Sequence, residues 1–151
     1  MISLSGGDLY SLLLEMAAVP SVSFSGGENV AADYIFSRLA ELEYFQRNPS
    51  FLRKLPAAGD PLGRSAVAGL VKVSPEMKQT VILTGHFDVV DTEAYGALKH
   101  LAFSPEELTR RVGELDIPEE ARSDLATGEY LFGRGVSDMK SGLAVEMGLL
   151  A

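Results

Sequence analysis

The chain has 151 residues and is 46% hydrophobic, enough for one domain with a real core and too short for two comfortable ones. Twenty-one acidic residues against 13 basic ones give a net charge of −8, with no Lys/Arg-rich run, which argues against nucleic acid and anionic membrane surfaces as partners. There is no cysteine, hence no disulfide and no thiolate ligand or nucleophile; no apolar run reaches membrane-spanning length or follows a basic leader, so a soluble, cytoplasmic protein is expected.

Leu9, Leu12, Leu13, Met16 and Ala17 recur at helical spacing and predict a first helix over 8–19, stopped by Pro20. After "PSVSFSGGE", a longer amphipathic stretch over about 28–45 places Val30, Ala31, Tyr34, Ile35, Leu39 and Leu42 on one core-facing side. Three prolines, Pro49, Pro56 and Pro61, predict loop over 46–63.

Next come "SAVAGLVKV" (65–73) and "TVILTGHFDVV" (80–90), two β-branched apolar runs joined by a turn-rich "SPEMKQ". The second is apolar at consecutive positions, the pattern of a central strand covered on both faces, which would put His86 where that strand ends. Residues 91–127 are charged, with little apolar periodicity, and read as an acidic surface insert that leaves His100 peripheral. Within it, Ser104-Pro105-Glu106 and Pro118-Glu119-Glu120 predict helix starts. A last helix, from about Asp138, reaches Ala151 with no Gly or Asn cap and no basic last turn, so a piece of a longer protein is expected.

Several motifs fall away. "LSGGD" (4–8) and "FSGGE" (24–28) are helix-capping chemistry, since no phosphate-cradling G-x-x-x-x-G-K-[ST] accompanies them. In "GRGVSD" (133–138) Asp138 stands where a dinucleotide loop needs its third glycine, and no G-x-S-x-G nucleophile elbow exists. A flavodoxin-like binding domain is weakened for the same want of a phosphate loop.

Two stretches remain, "TGHFD" and "YLFGRGVSDMKSG". On a strand, His86 and Asp88 at i, i+2 share one face, so the carboxylate can take the second imidazole N–H and make the other ring nitrogen a better ligand. Taken alone, a histidine near a strand end is more often a hydrogen-bonded structural residue, Asp138 is a helix cap or first-turn acid, and Lys140 is a solvated side chain.

The combination, however, resembles the N-terminal half of the M20 metallopeptidase family of carboxypeptidases, deacylases and aminoacylases. "AAVPSVSFSGGENVAADYIFSRLAEL", "TVILTGHFDVV" and "GEYLFGRGVSDMKSGLAVEMGLLA" carry that resemblance in order, and G-H-x-D-V-V followed by G-R-G-x-x-D-M-K is specific as a pair. "FQRNPSFLRKL", "DPLGR" and "DTEAYGALKHLAFSPEELT" look most like the arginine-utilisation (RocB) group.

The resemblance implies an α/β fold, the N-terminal portion of a three-layer zinc-peptidase-like catalytic domain with a mixed sheet. The rest of that domain and a dimerisation domain, through which a homodimer would form, would lie beyond residue 151. By the same resemblance, His86 binds one of two zinc ions, Asp138 bridges both, and Asp88 orients and polarises His86 as a catalytic residue. Activity would be hydrolysis of a peptide or N-acyl amino-acid amide by a metal-activated water, in amino-acid catabolism. Asp91 stands where many relatives have proline, and the interval from His86 to Asp138 is lengthened, which bears on substrate. The general-base glutamate would also lie downstream; Glu146, eight residues past Asp138 and about 12 Å along a helix, cannot replace it. The chain alone is therefore expected to be inactive. The rival reading is a non-catalytic M20-like scaffold or amino-acid-binding protein.

Overall fold

The computed structural model describes residues 6–76 and 78–151. Its first helix, α1 (Gly6–Ala17), buries Leu12, Met16 and Ala17 and ends before Pro20, as the apolar spacing predicts. The cap expected at Ser5 lies outside the described residues.

Helix α2 (Gly27–Ala40) opens on the capping chemistry that "FSGGE" suggests. The Ser25 hydroxyl accepts from Gly27 N–H at 3.1 Å, and the Glu28 carboxylate accepts from Ser25 N–H at 3.2 Å. Gly27 has to be glycine, because a Cβ there would stand 2.0 Å from the Pro20 carbonyl oxygen. The buried stripe runs through Glu28, Ala31, Ala32, Ile35 and Leu39. Val30, expected on it, is 56% exposed, being about 100° round the helix from Ala31. Nor does α2 reach residue 45. Leu42 is extended and a separate turn of helix, α3 (Glu43–Arg47), buries Phe45.

The span 46–63 is not simply loop. Strand β1 (Leu52–Pro56) lies inside it and pairs antiparallel with β2 (Ser65–Gly69), in a register that opposes Leu52 to Gly69 and Pro56 to Ser65. Pro56 is tolerated because it is the last residue of an edge strand. The connection is closed by Asp60, whose carboxylate accepts from the Arg64 backbone N–H at 2.7 Å and from its guanidinium at 2.8 Å.

The second expected strand differs most. Residues 80–88 form no strand, and Val81 and Ile82 are 84% and 82% exposed, whereas a covered central strand was expected. Among the described residues, no neighbouring strand supplies a hydrogen-bond ladder there. At the end of the run Val22 and Val89 form an isolated parallel bridge. The architecture is thus helix-rich and mixed, with one small two-stranded sheet among the described residues.

Two apolar clusters hold it together. Leu12, Met16, Ile35, Leu39, Phe45 and Leu52 pack with Leu143, Ala144 and Met147 of the last helix, α6 (Ser141–Leu150). The second cluster lies in 91–127, the stretch with little apolar periodicity in sequence: Leu98, Leu101, Leu108 and Val112 are buried there, with Tyr95, Leu115, Ile117, Leu125 and Phe132 against them. Helices α4 (Pro105–Arg111) and α5 (Glu119–Thr127) are each too short to show the full period, so their contributions add up only in three dimensions. Both begin where the Pro-Glu signals predict. His100 is exposed. No helix among the described residues is long and apolar enough to cross a membrane.

Candidate metal centre

Residues 133–140 make the turn that faces His86. Gly135 has φ +75°, and a Cβ on it would lie 2.5 Å from Val89 Cγ1, so the turn packs glycine-tight against the end of the His86 segment. Asp138 (φ −119°, ψ 99°) and Met139 (φ −133°, ψ 35°) are not helical, and α6 begins only at Ser141. Asp138 is therefore neither a helix cap nor a first-turn acid. Its carboxylate is instead carried ahead of the helix, toward the imidazole, with the side chain 86% exposed.

His86 is gripped from both ring nitrogens. Nε2 lies 2.9 Å from Asp138 Oδ1, and Nδ1 lies 3.0 Å from the Asp88 carbonyl oxygen and 3.3 Å from Asp88 Oδ1. Burial works against charge on the imidazole. The hydrogen bonds to Asp138 and to the Asp88 carbonyl, with the charges of both carboxylates, outweigh it and hold the His86 pKa above its ordinary value. The three residues singled out from sequence thus meet, in a cleft of about 250 Å³ whose walls also include Ser23, Val89 and Gly135.

The donor chemistry fits half of a metal site. Nε2 and Oδ1 point at one another, and a zinc ion bound by both at ordinary lengths would set them roughly 3.3–3.5 Å apart, a small opening from 2.9 Å. Among the described residues no group of three or more His, Cys, Asp or Glu side chains is arranged to hold a metal.

Three features escape sequence reasoning. Ser23 donates its hydroxyl to Asp88 Oδ2 at 2.7 Å. The signal was present, since Ser21 and Ser23 repeat the i, i+2 spacing of His86 and Asp88, but it sits in a stretch that otherwise reads as a turn. Lys140 is 1% exposed rather than solvated; its ammonium donates to the Val19 carbonyl at 2.7 Å, and burial lowers its pKa to about 8. It ties the turn after Asp138 to the end of the first helix. Arg134 stacks over Tyr95 at 4.9 Å and its backbone N–H donates to the Ala102 carbonyl at 2.8 Å, so the acidic insert is fastened to the site turn. The buried Arg134 Nε has no hydrogen-bond partner.

With the geometry in view, comparison with known proteins adds a second line. The chain is similar to two proteins of Bacillus subtilis (strain 168). One, an uncharacterized protein called YqjN, is 39% identical over 145 residues, covering 95% of this chain and 26% of YqjN. The other, protein RocB, is 34% identical over 137 residues, covering 91% of this chain and 24% of RocB. The chain spans about a quarter of the length of the curated relatives it matches. No family model matches it, and no solved structure does.

Proposed function

We propose that this chain is the N-terminal part of the catalytic domain of an M20-type, zinc-dependent amidohydrolase or peptidase of the cytoplasm, in which 91–127 is an insert. The single observation that carries the reading is the convergence of His86 Nε2 and Asp138 Oδ1 while Asp88 holds the opposite ring nitrogen. The fold would be three-layered with a mixed sheet, completed by further chain that covers the exposed 80–83 run; a dimerising domain would follow. The resemblance to the arginine-utilisation group, with the similarity to RocB over most of the chain beside it, supports a role in amino-acid (arginine) catabolism.

In that setting His86 would hold one divalent ion, and Asp138, with a second oxygen free, would sit between two. A pair of divalent ions held there, zinc in this proposal, would supply an acidified water and polarise an amide carbonyl. This chain's own residues position the two ligands that it supplies. Asp88 fixes the ring so that a lone pair on Nε2 faces the cleft. Ser23 and the Val22–Val89 bridge fix Asp88, and the Gly135 turn sets Asp138 at its distance.

A second reading, a non-catalytic scaffold or amino-acid-binding relative, is favoured by one observation: no three-residue donor group occurs among the described residues. The two separate on the full-length protein. Hydrolysis of N-acyl amino acids or dipeptides that a chelator abolishes and zinc restores supports the enzyme, while a purified protein with neither bound metal nor turnover supports the scaffold.

A further inference from the structure

Asp88 is 40% exposed at its side chain, and nothing in a half-exposed carboxylate by itself fixes the rotamer that meets His86. Its two oxygens are nevertheless divided between different partners. Oδ1 faces His86 Nδ1 at 3.3 Å, and Oδ2 accepts the Ser23 hydroxyl at 2.7 Å. That hydroxyl has one proton and two acceptors in reach, the other being the Val89 carbonyl at 3.1 Å. The carboxylate is nearer and charged, and the Val89 carbonyl is already served by the Ser23 backbone N–H at 2.8 Å, so the proton belongs to Asp88.

Ser23 itself is not free to wander. Val89 N–H donates to the Ser21 carbonyl at 2.9 Å, the buried Ser21 hydroxyl donates to the Phe87 carbonyl, and Val22 bridges Val89 in parallel. Residues 21–23 therefore run as a short rail beside 87–89, and the rail sets the Ser23 oxygen against the carboxylate.

We infer that Ser23 is a positioning residue: it locks the Asp88 carboxylate, and through it presents the His86 ring with the proton on Nδ1 and the lone pair of Nε2 toward Asp138 and the cleft. The geometry gives the reason. A neutral imidazole has one proton for two sides; on the Nδ1 side the Asp88 carbonyl accepts it at 3.0 Å and the negative charge of the Asp88 carboxylate stands at 3.3 Å, while on the Nε2 side stands the single, 86% exposed Asp138. Loosening Asp88 takes away the charge that favours the proton on Nδ1. The consequence for metal binding rests on the metallohydrolase reading; the tautomer does not.

The test uses the metal-free 151-residue chain and nitrogen-15 spectra of the His86 ring with the ring neutral, which report which nitrogen carries the proton. The Nδ1–H form should dominate, and Ser23→Ala should lower its ratio to the Nε2–H form roughly two- to tenfold, the range that one hydrogen bond contributes. Ser23→Thr should restore it. Ser23→Cys, a near-isosteric change to a weak donor, should behave like Ser23→Ala and guards against an alanine variant that folds poorly. In an Asp88→Ala background, Ser23→Ala should change nothing further. An unchanged ratio in both Ser23→Ala and Ser23→Cys would overturn the inference, as would an equal shift with and without Asp88, because the serine would then act through the Val89 backbone alone. In the full-length protein, the same variants should weaken zinc affinity while Ser23→Thr retains it. A full-length protein that binds no zinc at all, alongside the expected tautomer shift, would sink the metallohydrolase reading and leave the positioning role standing.

Discussion

His86 Nε2 stands 2.9 Å from Asp138 Oδ1, although 52 residues of chain, an entire acidic insert among them, separate the two. Two donors aimed at each other are the minimum of a metal site, and two protein ligands leave half of a tetrahedral shell to water. If a four-ligand site contributes on the order of 10–16 kcal/mol, half of it gives roughly 5–8 kcal/mol, a Kd between about 1 μM and 0.2 mM. Calorimetric titration of zinc into the chain should fall in that window and vanish in His86→Ala. A sub-micromolar Kd in a monomer would mean that ligands beyond this pair had been overlooked.

The turn that brings Asp138 into place is packed too tightly for a side chain at Gly135. At Gly135 the backbone is left-handed, and a Cβ would meet Val89 Cγ1 at 2.5 Å and Lys140 Cδ at 3.3 Å. Gly135→Ala should cost about 1–3 kcal/mol of stability, from strain plus the shift of a packed neighbour. Urea denaturation measures it. Because Val89 lies next to Asp88, zinc affinity should fall with it; a variant as stable as the parent would show that the turn relaxes freely.

Lys140 poses a question of volume against charge. Its stem fills buried space and its ammonium meets the Val19 carbonyl, so Lys140→Ala loses packing and a bond and should cost about 2–5 kcal/mol. Lys140→Met keeps the stem and escapes the cost of burying a cation, leaving mainly the Val19 carbonyl without its donor, about 1–3 kcal/mol. Denaturation midpoints should rank wild type, then Met, then Ala. A methionine variant as unstable as the alanine one would make the charge, not the stem, the part that matters.

The Asp60–Arg64 clasp predicts acid sensitivity in the hairpin connection. Hydrogen bonds from the Arg64 side chain, then from its backbone, hold the Asp60 carboxyl down at about 2, below its ordinary 3.8. A depressed folded-state pKa means that the stabilisation is complete above the unfolded value, near 4, and is lost as pH falls from there through about 2. Asp60→Asn should therefore be less stable than wild type at neutral pH, with the gap closing as the solution is acidified across that window. Urea midpoints at about pH 7, 4 and 2.5 decide it; a gap that stays constant would locate the clasp's contribution outside this ionisation.

Much of this was legible in the residues, and the misses share a cause. Local signals worked: Pro20 stops α1, the Ser25–Glu28 pair opens α2, and the Pro-Glu pairs open α4 and α5. His86 drew notice as one of two histidines, at the end of an apolar run, and Asp88 by its i, i+2 spacing, while Asp138 was singled out by the resemblance of the G-H-x-D-V-V and G-R-G-x-x-D-M-K pair to a family pattern. What failed depended on partners far away in sequence. Leu52 is in a strand because Gly69 lies opposite, Lys140 is buried because Val19 returns beside it, and Ile82 is exposed because no strand among the described residues lies along it. Proline counting and hydrophobic runs contain none of that information. The insert misled for a related reason, as its core is shared among short helices with one or two apolar positions each.

The two carboxylates around His86 look alike in sequence and differ in what their loss should do in the full-length protein. Asp88 meets Nδ1, the ring nitrogen opposite the one that faces Asp138, with its backbone carbonyl at 3.0 Å and its carboxylate at 3.3 Å, so Asp88→Ala keeps the carbonyl bond but removes the orienting charge, and should weaken metal affinity or activity by roughly 10–100-fold while leaving a site that can still fill. Asp138, 86% exposed and facing Nε2 with one oxygen, has its other oxygen free to reach a second ion. Asp138→Ala would leave two dications with no negative charge between them, and at the roughly 3.5–4 Å typical of paired sites their repulsion then goes uncompensated. One metal should be lost outright and turnover with it. Elemental analysis of both purified variants, alongside rates of amide hydrolysis, separates the two roles. Two metals per chain and near-normal rates in Asp138→Ala would remove the bridging role, and the contact with His86 would then be a hydrogen bond that merely closes the cleft.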